Sequence, residues 1–64
     1  MLKTYTRTHV PTGDTYDGEF IPAHDAVFQN PDWYPQRVLN AAMQACIDKW
    51  NRQQPTEWSY TLNK

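Results

Sequence analysis

The stretch PQRVLNAAMQACIDKWNRQ, residues 35–53, narrows the folds open to this chain more than any other. It places Leu39, Ala42, Met43, Cys46 and Trp50 at i, i+3, i+4, i+7 and i+11, with Val38 and Ile47 flanking that stripe. Arg37, Asn40, Gln44, Asp48 and Asn51 fall on the opposite side. A helix with one apolar stripe must lay it on another element, and the other regular segments of this 64-residue chain read as strands. Pro35 suits a first helical position, since its missing N–H is one that a helix start leaves unpaired. Pro55 cannot continue the helix and biases Gln54 away from it.

Residues 2–10, LKTYTRTHV, are rich in threonine, β-branched and aromatic types and stop at the turn cluster Pro11-Thr12-Gly13-Asp14. Residues 15–21, TYDGEFI, put Tyr16, Gly18 and Phe20 on one side and Thr15, Asp17, Glu19 and Ile21 on the other. The two segments predict a β-hairpin, with Gly18 marking a bulge or room for a large neighbour such as a tryptophan. Residues 57–62, EWSYTL, alternate Trp58, Tyr60 and Leu62 against Glu57, Ser59 and Thr61, which predicts a third strand with one buried face.

Residues 22–34, PAHDAVFQNPDWY, show neither period and hold two prolines, so an irregular connection is expected, with Asp25 capping one turn through Phe28. The whole, residues 1–64, is expected to be one α+β domain of order ββαβ. One helix packs on a three-stranded, mostly antiparallel sheet of order 2-1-3. Trp50 would end the helix stripe and Trp58 open the inner face of the last strand, so the two rings are expected to close the same end of the core. The uncovered face would show Lys3, Arg7 and His9 or, in the other register, Thr4, Thr6 and Thr8. That open face and the two strand edges leave room for homo-oligomers.

The net charge of −1 and pI near 6.0 supply no general pull toward nucleic acid or an anionic membrane. No apolar run approaches the roughly 20 residues of a membrane span, and the opening MLKTYTRTHV has no signal-peptide core, so a cytoplasmic, membrane-free protein is expected. The single Cys46 excludes an internal disulfide and sits mid-stripe, where cysteine behaves as a small hydrophobe. His24 and Asp25 are adjacent but isolated from further ligands. Gly13 and Gly18 form no phosphate loop, and Asp14, Asp17 and Glu19 read as a solvated hairpin rather than half of a cation site. No enzyme, cofactor or metal site is therefore expected.

The aromatic-rich connection supplies the candidate partner-binding residues Phe28, Trp33 and Tyr34, because irregular loops on a rigid support commonly carry recognition. The alternative is a single-stranded nucleic-acid module, with Tyr5, Tyr16 or Phe20 stacking bases beside Lys3 and Arg7; the acidic balance weighs against it. THVPTGDTYDGEF together with KWNRQQPTEWSYTL resembles small proteins encoded by tailed bacteriophages, which carry a similar Thr-His-x-Pro-Thr-Gly turn and Trp-Asn-Arg…Trp-x-Tyr ending. The resemblance covers about half of the chain, and residues 22–34 depart from the shorter members of that group. It implies a phage accessory protein that binds and modulates or inhibits a host protein, and it transfers no active-site residue.

Overall fold

The computed structural model describes residues 1–53 and 57–64, so the expected break at Gln54 and Pro55 lies outside the described residues. Strands β1 (Thr4–His9), β2 (Asp14–Glu19) and β3 (Trp58–Leu62) form one antiparallel sheet in the order β2-β1-β3, and helix α1 (Gln36–Arg52) stands between β2 and β3 in the chain. This is the expected α+β arrangement. The strands differ from the sequence-based limits at their ends: residues 2, 3, 10, 20, 21 and 57 lie outside them, and β2 starts one residue earlier than expected, at Asp14. Pro35 occupies the cap position, one residue before the helix, where its carbonyl accepts from the N–H groups of Val38 and Leu39.

The hairpin turns through residues 10–13, and Gly13 takes φ +77°, a left-handed conformation that glycine adopts without a Cβ penalty. With this turn, His9 faces Asp14, Arg7 faces Tyr16 and Tyr5 faces Gly18. On the other side Tyr5 faces Leu62, Arg7 faces Tyr60 and His9 faces Trp58. Because side chains alternate along a strand, these residues share one face, and Thr4, Thr6, Thr8, Asp17 and Thr61 share the other. The outer face is therefore the threonine face. There the Thr6 hydroxyl lies 2.9 Å from both Asp17 Oδ1 and Asn63 Oδ1, and its one proton serves either partner in turn.

Six buried side chains, Phe20, Phe28, Leu39, Met43, Cys46 and Ile47, make the core, and Leu2, Tyr5, Val27, Ala42, Trp50, Tyr60 and Leu62 pack against it. The connection over residues 22–34 is more regular than expected, holding two short 3-10 turns at Ala26–Phe28 and Pro31–Trp33. Asp25 caps the first by accepting from the Val27 N–H at 3.2 Å, as its position suggests, and that turn swings Phe28 inward against Phe20, with ring centroids 5.2 Å apart. Gly18 makes room for a tyrosine rather than a tryptophan: a Cβ there would stand 2.5 Å from Tyr5 Oη and 2.7 Å from Tyr5 Cε1.

The expected meeting of Trp50 and Trp58 is not what the packing shows. Trp50 sits among Tyr5, Phe20, His24 and Tyr60, whereas Trp58 contacts His9, Tyr16 and Arg7. The cause is where the helix lies along the sheet. Its first turn reaches the chain ahead of β1, with Gln36 Nε2 donating to the Met1 carbonyl at 2.9 Å, and mid-helix Met43 Sδ meets the Lys3 N–H at 3.3 Å. Its last turn stops level with Tyr60: the Asn51 amide donates to the Tyr60 carbonyl at 2.9 Å and accepts from the Tyr60 N–H at 2.8 Å, standing in for a strand partner. Seventeen residues span about 25 Å, while the molecule is 39 Å in its longest extent. The hairpin end of the inner face therefore projects past the helix.

Candidate interaction surface

That projecting end carries Arg7, His9, Tyr16 and Trp58. Cross-strand geometry brings them together, since Arg7 on the central strand has Tyr16 directly opposite on β2 and Trp58 diagonally placed on β3, within reach of long side chains. The Arg7 Cζ lies 4.9 Å from the Trp58 ring centre and 5.4 Å from that of Tyr16, and the two rings are 6.0 Å apart. These three distances describe a near-equilateral triangle, so the guanidinium lies across both rings rather than between them. Arg7 is exposed, and such cation–π contacts contribute about 0.5–1 kcal/mol at exposed sites.

His9 borders the group, with its ring centre 4.8 Å from that of Trp58. Its Nδ1 lies 3.0 Å from Thr12 Oγ1, tying the ring to the hairpin turn, and its Nε2 lies 3.7 Å from Glu57. Tyr16 is 48% exposed although the alternation places it on the inner face, because α1 stops level with Tyr60. Among the described residues no carboxylate pairs with the Arg7 guanidinium.

The three residues proposed from the connection separate. Phe28 is 4% exposed and belongs to the core, so it is corrected from a candidate contact to a packing residue; the capped turn buries it. Trp33 is 77% exposed and Tyr34 39%, and they stand just ahead of the helix start, where Gln36 lies against Met1. Sequence reading missed the Arg7 group as a unit. The hairpin turn held the signal: once His9 pairs with Asp14 across it, Arg7 must face Tyr16.

Cys46, His24 and Asp25 have structural roles. The Cys46 thiol is buried, and burial, then the Asp25 charge, pushes its pKa up against a smaller lowering by Lys49. His24 Nδ1 accepts from the Ile21 N–H at 3.2 Å, and its ring packs on Trp50 with centroids 4.9 Å apart. Asp25 is the cap already described. Among the described residues no group of His, Cys, Asp and Glu has the arrangement of a metal site, and no helix is long and apolar enough to cross a membrane. An open depression of about 440 Å³ beside β2, lined by Thr4, Asp17, Gly18, Glu19 and Ile21, encloses no sheltered volume. No known protein family, curated protein or solved structure matches this chain.

Proposed function

We propose that this chain is a non-enzymatic protein–protein interaction module whose main contact surface is the hairpin end of its inner sheet face. The observation that carries the reading is the preassembled Arg7–Tyr16–Trp58 group, left uncovered by a helix that seals the rest of that face. Trp, Tyr and Arg are the residues that most often dominate binding energy, and side chains already held in place lose less entropy on binding. Trp33 and Tyr34 offer a second, smaller contact, with no comparable set of fixed ring or cation neighbours among the described residues. The structural roles of His24, Asp25 and Cys46 support the non-enzymatic part of the reading.

The phage-like motifs at both ends support a finer proposal, a phage accessory protein acting on a bacterial host protein, by inhibition or modulation, in the host cytoplasm. Affinity capture from bacterial lysate should retain one stoichiometric partner that survives Trp33→Ala/Tyr34→Ala better than Arg7→Gln/Tyr16→Ala. Absence of such a partner, or one indifferent to Arg7 and Tyr16, would count against the reading. The nucleic-acid alternative has less support: Tyr5 and Phe20 pack under the helix, which leaves Tyr16 alone of the three rings proposed to stack bases.

A further inference from the structure

We propose that Arg7 anchors a single carboxylate of the partner, from an aspartate, a glutamate or a chain end, standing beside an apolar or aromatic group; the inference rests on the interaction-module reading. The guanidinium is held against two rings, Arg7 is exposed, and among the described residues nothing accepts from its N–H groups, so its position is set while its donors are available to a partner. A carboxylate matches that fork with two parallel hydrogen bonds, whereas an amide offers one neutral oxygen. The exposed rim of Tyr16 and the half-buried Trp58 give the neighbouring apolar group a place to lie.

Charge argues for one carboxylate rather than a run of phosphates. Among the described residues Arg7 is the one permanent cation of the patch, and acidic groups border it: Asp14 shares the face opposite His9, and Glu57 approaches the His9 ring at 3.7 Å. A polyanion following the sheet would meet these carboxylates, and a net charge of −1 offers it no compensating field.

The test is an NMR titration of the full chain, following the three indole N–H signals and the Arg7 side chain, with N-acetylphenylalanine and its uncharged amide as matched probes. The acid should move the Trp58 and Arg7 signals with an affinity at least about tenfold above the amide, leaving Trp33 still. Arg7→Gln should lower the acid to the level of the amide, and Arg7→Lys, which keeps charge but loses the fork, should fall between. Equal shifts by acid and amide, or an acid affinity unchanged in Arg7→Gln, would overturn the anchor while leaving an apolar docking surface and the module reading intact. Silence of both probes up to about 50 mM overturns the anchor as well, since a weaker site could not orient a partner. Stronger shifts of Trp58 by oligothymidylate, falling steeply with salt, would assign the patch to polyanions instead.

Discussion

Replacing Gly18 by alanine tests the packing at the centre of the inner face. The added Cβ would stand 2.5 Å from Tyr5 Oη and 2.7 Å from Cε1, and closer still to Cζ, so the tyrosine ring must move. It has little freedom to do so. Tyr5 makes edge contacts at 5.0 Å with Trp50 and 5.2 Å with Phe20, and a tilted one at 6.1 Å with Tyr60. Displacing the ring surrenders at least two such contacts, at about 0.5–1.5 kcal/mol each. Relief of the glycine's strand penalty returns about 0.5–1 kcal/mol. The net loss should be about 1–2 kcal/mol, a large share of the roughly 3–10 kcal/mol expected for a chain this size.

At about 4–8 °C per kcal/mol for a domain of this size, Gly18→Ala should lower Tm by about 4–16 °C, and urea denaturation followed by tryptophan fluorescence should show the same loss with m unchanged. Gly13 supplies the control. A Cβ there meets nothing within 4 Å, but φ +77° strains most side chains and asparagine least, so Gly13→Ala should be destabilising for backbone reasons and Gly13→Asn should recover most of the loss. Asparagine at position 18, being bulkier, should be worse than alanine. If Gly18→Ala is neutral or stabilising, Tyr5 does not lie over Gly18 and the packing account is wrong.

Asn51→Ala removes both bonds to the Tyr60 backbone and should lower stability by about 1–2 kcal/mol, read by urea denaturation; an unchanged midpoint would show that water replaces the amide without loss. Asp25→Ala, which strips the cap from the turn that carries Phe28, should reduce stability by about 1 kcal/mol and increase exposure of Phe28, measurable by hydrogen exchange at Val27. Cys46 sets an alkaline limit. Its thiol keeps its proton in the fold above its ordinary value, so in that window the unfolded chain binds fewer protons and stability falls as pH rises. Cys46→Ala should flatten that part of the profile; an unchanged slope would assign the decline to other groups.

The helix was legible because a stripe at 3.6-residue spacing has one structural meaning, and the sheet order followed from which connections can be made without crossing. The face alternation of β1 and β3 was legible too, including the tyrosine, arginine and histidine that share one side. Alternation says which face a residue takes, not how far a neighbouring helix extends over it. That is why Trp58 was expected in the core: its placement depends on contacts of Met1, Lys3 and Asn51 that slide the helix toward the far end. Phe28 was misread for a related reason. A phenylalanine in a proline-interrupted connection has no period to assign its direction, and a single capped turn decided it.

The helix offset creates the uncovered patch, so the contacts of the Trp58 indole test the account most directly. Nuclear Overhauser measurements in solution should connect the Trp58 ring to Tyr16 and His9, and the Trp50 ring to Tyr5, Phe20 and Tyr60. Cross-peaks from Trp58 to Trp50 or to the apolar stripe of α1 would mean that the helix covers the hairpin end, and the binding surface proposed there would not exist.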